Sequence, residues 1–267
     1  MIDFTRLEDV KRQRPLIHCV SNIVSANDCA NLALAVGASP MMAQAPQEMA
    51  DITAISTATV LNTGTPDEKK FRACLLCGQA AAPLGQPVVL DPVGVGASPW
   101  RLERAEALLT AFRPTILRVN FGEAKALTQC AGEEQGVDSP APVSLEIRLD
   151  AALRLAKVRH TAVLLSGPED VVTDGCRTWR VTGGSSQMAK VTGTGCMLSV
   201  LCGVFAAVEP DAVRAAVLAA AFWKVCSRRA ELSAGEKGPG SFRAALMDAA
   251  GTLTASDFAA EARIEQL

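Results

Sequence analysis

The sequence predicts an α/β fold in three layers, a mostly parallel central sheet flanked by helices, and three observations carry that reading. Short β-rich runs alternate with longer helical ones along most of the chain, the pattern of parallel strands joined by crossover helices. Hydrophobic residues make up 49% of the 267 and charged residues 20%, which supplies a large core and leaves no compositional case for disorder. The alternation also resumes unchanged beyond its one long polar stretch, so residues 1–267 are expected to form one domain.

In chain order, LIHCV (16–20) reads as a strand, followed by a helix through Asn27 to Val36. TVLN (59–62) is a second strand, and a helix follows around Phe71 to Ala82, with Ala73, Leu76, Cys77 and Ala80 spaced as one buried stripe. PVVLD leads into a helix from Pro99 to Phe112, and TILRVN into one beginning near Glu123. The polar run from Ala131 to Pro142 has glycine, proline and acids without period and reads as a surface loop. RLDAALRLAKVRH then gives a helix, TAVLLSG a strand, and DVVTDG with TWRVTG a hairpin at a mixed sheet edge, because TDG carries turn chemistry. From Gly193 onward the pattern is helical almost throughout, with Met197 to Val208, Asp211 to Leu232 and Ser241 to Leu253 as helices, broken at Pro210 and at GEKGPG.

Composition also excludes function classes. A formal net charge of -2 argues against a surface that neutralises many nucleic-acid phosphates, and small molecules are the expected partners. The first fifteen residues mix both charge signs without a continuous apolar stretch, so no targeting segment is expected and the cytoplasm is the expected compartment. The most apolar window, Ala215 to Trp223, is far shorter than the roughly 20 residues of a membrane span and reads as a buried helix. The nine cysteines are an odd, dispersed set, expected as free thiols serving as small core hydrophobes. Cys74 and Cys77 form a C-x-x-C pair without a second pair of ligands, so packing is expected of them rather than metal or redox chemistry.

The segment with most chemical content is VTGTGCMLSV, Val191 to Val200, where a glycine-flanked turn enters a helix expected to start near Cys196. Glycine lets backbone approach a ligand closely, and the unpaired N–H groups of a first helical turn, with the positive end of its dipole, suit a phosphate. A lone G-T-G-C is more often an ordinary loop entering a buried helix. Asp91 and Glu123 follow apolar strands, where carboxylates face the crevice at strand ends and suit magnesium, though Glu123 serves equally to complement its own helix start. Arg118 closes an apolar strand, and a planar guanidinium there can grip two phosphate oxygens at once. His18, between Ile17 and Cys19, reads as a structural histidine.

These segments together resemble the hydroxyethylthiazole kinases of the ribokinase-like superfamily over nearly the whole chain. PLIHCVSNIVSANDCAN, GASPMMAQAPQE, VVLDPVGVGAS, ILRVNFGEAKAL, GVDS, DVVTDG, KVTGTGC and GPGSF occur in the family's order. The resemblance implies a single-domain ribokinase-like three-layer fold and ATP-dependent phosphorylation of the primary alcohol of a small thiazole in thiamine salvage, with Mg2+. It places Met42 at the thiazole site beside Asn22, and the backbone of Gly193, Thr194 and Gly195 around the transferring phosphoryl group. Cys196 stands where the superfamily has an aspartate that receives the alcohol's proton. Arg118, Asn120 and Ser166 fall on the ATP side, Asp91 and Glu123 on the metal. RVNF stands where the family more often has RGNA or RGNP, so Val119 and Phe121 are expected to alter the loop beside phosphate. A homotrimer with active sites between subunits is implied as well.

A thiol at its ordinary pKa near 8.5 is only ~3% ionised at pH 7, whereas a carboxylate is almost fully so. Phosphoryl transfer depends mostly on positioning and charge neutralisation, which makes that difference tolerable. Two rival readings stand beside this one: a same-fold kinase of a hydroxymethylpyrimidine or pyridoxal-type alcohol, and a non-catalytic nucleotide-binding regulator. A dinucleotide-binding oxidoreductase lacks its G-x-G-x-x-G after an early strand.

Overall fold

The computed structural model describes residues 2–129 and 143–267. The helices are α1 (Arg6–Gln13), α2 (Ala26–Val36), α3 (Met49–Ile55), α4 (Glu68–Ala81), α5 (Pro99–Ala111), α6 (Phe121–Gln129), α7 (Leu145–Arg159), α8 (Thr194–Ala206), α9 (Ala212–Ala234), α10 (Pro239–Thr252) and α11 (Ala255–Glu261). The strands are β1 (Leu16–Val20), β2 (Ser39–Met41), β3 (Ala58–Asn62), β4 (Val88–Asp91), β5 (Ile116–Asn120), β6 (Ala162–Ser166), β7 (Asp170–Thr173), β8 (Thr178–Thr182) and β9 (Arg263–Gln266). All nine lie in one sheet, ordered β2-β1-β3-β4-β5-β6-β7-β8-β9. The pairings from β2 through β6 are parallel, and those from β6 through β9 antiparallel. This is the mostly parallel three-layer arrangement expected, with the hairpin of β7 and β8 closing through Thr173 opposite Thr178.

Both sheet faces are covered, which is why the central strands read as continuous apolar runs. Ile17, Val60, Val89, Ile116 and Leu164 face the layer of α2, α8, α9 and α10, while their neighbours Leu61, Leu90, Leu117 and Val163 face α4 to α7. In α9, Ala215 to Trp223 is buried throughout, as the apolar window implies. Asp211 caps that helix by accepting from the N–H groups of Val213 and Arg214, and Pro239 opens α10. Among the described residues, no helix is long and apolar enough to cross a membrane.

Several boundaries differ from the sequence reading. Helix α8 begins at Thr194, two residues before Cys196, and α6 begins at Phe121, immediately after β5. Of the expected α4 stripe, Ala73 and Cys77 are buried and Leu76 and Ala80 only half-buried; Phe71, Cys74, Gly78 and Ala81 complete the buried face, where Gly78 packs on the Phe112 ring. Short β2 and the C-terminal β9, in a region read as helical, are additional strands. The run Ala131 to Pro142, with its GVDS segment, lies outside the described residues.

Candidate active site

Parallel strands end on one edge of the sheet, and polar side chains collect there because the apolar core stops. Met42 follows β2, Asn22 lies two residues past β1, Asn62 ends β3, Asp91 ends β4, Asn120 ends β5 and Ser166 ends β6. Register sets Asn62 opposite Asp91 and Asn120 opposite Ser166. The start of α8 crosses the middle of this row. Its preceding residue, Gly193, has φ +81, and a Cβ there would stand 2.8 Å from Cβ of Ser25, so only glycine fits the turn. At Gly195 a Cβ would stand 2.6 Å from Nη2 of Arg118, which shows how closely the backbone lies on the guanidinium.

A cleft of about 520 Å³ opens on one side of the turn, lined by Arg118, Ser166, Thr194, Gly195, Trp223 and Lys224 among others. The first N–H groups of α8 have no acceptor within the helix, and its dipole adds positive potential beside Arg118. Arg118 donates from Nη2 to Ser166 Oγ at 2.8 Å and from Nη1 to Asp91 Oδ1 at 3.3 Å, while its Nε has no partner. Trp223 fixes the turn by donating from Nε1 to the Thr194 carbonyl at 3.0 Å. Lys224 donates to the carbonyls of Gly167 and Pro168 and lies 3.4 Å from Asp170, whose pKa burial raises against that cation.

On the other side of the turn, half-buried Cys196 accepts a hydrogen bond from Asn22 Nδ2 at 3.2 Å. Asn22 also donates to Asn62 Oδ1 at 2.9 Å, and Asn62 donates to Asp91 Oδ2 at 2.8 Å. Ser199, one turn beyond Cys196 on α8, donates to the same oxygen at 2.7 Å. Asp91 is 0% exposed, and burial pushes its pKa up to about 6 although Arg118 pulls it down. Its two oxygens thus serve three protein donors.

Glu123 accepts from the backbone N–H groups of Gly94 and Asn120, each at 2.9 Å, while Asn120 Oδ1 accepts from the Glu123 N–H. This reciprocal pairing caps α6, the helix-start role weighed for Glu123, and it occupies the side chain of Asn120 too. Neither residue, nor Asp91, lines the large cleft. Met42 packs, partly buried, against the α2 and α8 side of the core. Val119 is fully buried against the α4 to α7 layer and Phe121 packs on the same layer, so their bulk points into the core and not toward the turn.

The sequence reading missed Asn62, Ser199, Trp223 and Lys224. Asn62 ends TVLN as Asn120 ends TILRVN, and Ser199 is three residues past Cys196, signals of position that were available. His18 is buried, with Nε2 donating to the Ala43 carbonyl at 3.1 Å, in a structural role. Cys74 and Cys77 are buried in the core, where burial raises the pKa of both thiols, Cys77 to about 11. The eight cysteines among the described residues carry free thiols.

Sheet order, the helix-start turn and the cleft beside it together define a three-layer α/β protein with a site suited to a phosphorylated small molecule. The fold is shared with a pyridoxal kinase from Staphylococcus aureus solved in complex with ADP, at TM-score 0.61 over 80% of this chain and 87% of that one, with 15% identity. The model of the hydroxyethylthiazole kinase family matches residues 7–256. A hydroxyethylthiazole kinase from Listeria monocytogenes serotype 4a (strain HCC23) is 43% identical over 266 residues, covering 100% of this chain and 98% of the relative. The solved hydroxyethylthiazole kinase from Pyrococcus horikoshii OT3 superposes at TM-score 0.89 with 33% identity, over 99% of this chain and 98% of that one. The chain belongs to the hydroxyethylthiazole kinase family.

Proposed function

We propose that this chain, as one kinase domain over residues 1–267, transfers the γ-phosphoryl group of ATP to the primary alcohol of 4-methyl-5-(2-hydroxyethyl)thiazole, a step of thiamine salvage. The observation that carries the reading is the position of Thr194 to Cys196. One side of the turn lines the cleft against Arg118, and the other holds Cys196 beside Asn22. ATP would occupy the cleft with its phosphates toward Arg118 and Ser166, Asn120 lying outside the cleft lining with its oxygen held by the Glu123 N–H, and the thiazole would lie on the Asn22 and Met42 side. The bond to the leaving phosphate oxygen breaks as the alcohol oxygen bonds to phosphorus, and the alcohol becomes acidic late. The backbone N–H groups of the turn and the Arg118 guanidinium, which keeps an unpaired Nε, match the charge of the group in flight. Cys196 would accept the alcohol's proton as the bond to phosphorus forms.

Magnesium neutralises phosphate charge when bound with ATP and retains several waters. Asp91 is a poor direct ligand, being fully buried with both oxygens engaged. Glu123 keeps lone pairs on oxygens that each accept one backbone N–H. Glu123 is thus the residue that would help hold the ion, and Asp91 would act through Arg118.

A homotrimer with sites between subunits belongs to the same reading, supported by the exposed apolar pair Ile23 and Val24 next to Asn22. Light scattering should give three times the 27.9 kDa of the chain. Cytoplasmic residence follows from the use of ATP. Substrate choice is tested by comparing kcat/KM for hydroxyethylthiazole, a hydroxymethylpyrimidine and pyridoxal at saturating ATP. The thiazole alcohol should be preferred by at least tenfold, and preference for either other alcohol would reassign the substrate.

A further inference from the structure

The Asn22, Asn62, Asp91 and Ser199 side chains form a closed circuit on α8. It runs from Cys196 Sγ to Asn22, then Asn62, Asp91 and Ser199, and Ser199 is one helical turn from Cys196. The direction of every hydrogen bond in it is set by one group. A carboxylate only accepts, so Asn62 must turn its NH2 to Asp91 and its oxygen away. That oxygen accepts from the Gly64 N–H at 2.9 Å and from Asn22, which leaves Asn22 presenting an N–H to the sulfur of Cys196. The Asn22 oxygen is in turn fixed by the Ser25 N–H at 3.1 Å. Buried Lys70 holds the frame by donating to the carbonyls of Ser21 at 2.8 Å and Gly64 at 2.9 Å. Asp91 also holds Arg118, on which Gly195 rests.

We propose that Asn62, with Ser199, is a positioning residue that locks the acceptor-side thiol of Cys196 and the phosphate-side guanidinium of Arg118 into one arrangement. The inference rests on the kinase reading above. Asn62 is buried, and its place in the circuit puts it a full residue away from Cys196 and from Arg118, so it acts through them. Its loss should therefore reach the transition state more than the binding of either substrate.

The test compares wild type with Asn62→Ala, Ser199→Ala and Ser199→Thr, measuring kcat, both Michaelis constants, and the alkylation rate of Cys196 by iodoacetamide, with exposed Cys176 as reference in the same molecule. Asn62→Ala leaves buried polar partners unmet and should lower kcat by about 10- to 100-fold while each KM stays within about threefold. Cys196 should alkylate about threefold or more slowly once Asn22 is free to turn its N–H away from the thiolate, with Cys176 unchanged. Ser199→Ala should lower kcat in the same way, and Ser199→Thr, which keeps the hydroxyl, should hold within about threefold of wild type. An unchanged kcat in Asn62→Ala, a loss carried wholly by KM, or an unchanged Cys196 alkylation rate would overturn the assignment. If Asn62→Ala fails to fold, equal activities of Ser199→Ala and Ser199→Thr would overturn it as well. A wild-type protein that phosphorylates no thiazole alcohol would remove the kinase reading, while the alkylation comparison would still decide whether Asn62 orients Asn22.

Discussion

Under the proposed function Cys196 faces two demands that a side chain rarely combines: it sits in the first turn of a core-layer helix, and it would stand beside the reacting alcohol. A carboxylate is the better proton acceptor at neutral pH, and Asn22 Nδ2 at 3.2 Å from the sulfur would serve an aspartate oxygen equally. Cys196→Asp should keep or raise kcat, whereas Cys196→Ala should lose no more than about 100-fold, the low end of general-base contributions. A folded but inactive aspartate variant would show that the sulfur does something other than accept a proton. Gly195 sets a second constraint. The guanidinium below it is pinned by Asp91 and Ser166, so Gly195→Ala should displace Arg118 and lower kcat by about 10- to 100-fold with little change in thermal stability. Arg118→Ala is a harsher change, since an unpaired buried carboxylate costs about 3–5 kcal/mol. Arg118→Lys keeps the charge and should raise the KM for ATP more than that for the thiazole, and equal effects on the two would move Arg118 out of the phosphate site.

At the scale of elements, what was legible and what was not follows from where the signal resides. Strands β1, β3, β4, β5 and β6 are buried on both faces and announce themselves as apolar runs, and α8 is marked by the glycines that its entry requires. Strand β9 carries no such mark. Arg263, Glu265 and Gln266 are exposed, and the strand exists because β8 offers an unpaired edge, a fact of tertiary structure. Asn62 and Ser199 carry a signal of position in the sequence but not of partner: strand register and helix phase bring residues 62, 91 and 199 to one carboxylate. Helix α4 packs Gly78 against the Phe112 ring, a tertiary contact that periodicity alone does not announce. A Cβ at Gly78 would overlap that ring, so Gly78→Ala should cost about 1–3 kcal/mol and lower Tm by several degrees. An unchanged Tm would show that α4 and α5 separate freely.

Across the whole molecule, the proposed function sets acceptor chemistry at the ends of β1 to β3 and nucleotide chemistry at those of β5 and β6, with the start of α8 lying between them. The same burial that organises this edge makes stability depend on pH through His18 in β1. Burial holds the His18 pKa below its ordinary 6.5, so the unfolded chain binds the proton more readily. That contribution is complete above about pH 6.5 and is lost as pH falls through the lower folded value. Buried Asp91 and Asp170, whose pKa values are raised, act in the opposite direction as pH falls, so the His18 effect is read as a difference: His18→Gln should lose less Tm than wild type across this window. An identical slope in both would assign the loss to other groups.

The most direct measurement of the joined site is product stoichiometry: ATP and hydroxyethylthiazole are incubated with the wild-type protein, and ADP and thiazole phosphate ester are quantified together. One ester is expected for each ADP, with ADP formation strongly dependent on the alcohol. ADP release unchanged by the alcohol, or no ester at all, would contradict a phosphoryl group passing across Thr194 to Cys196.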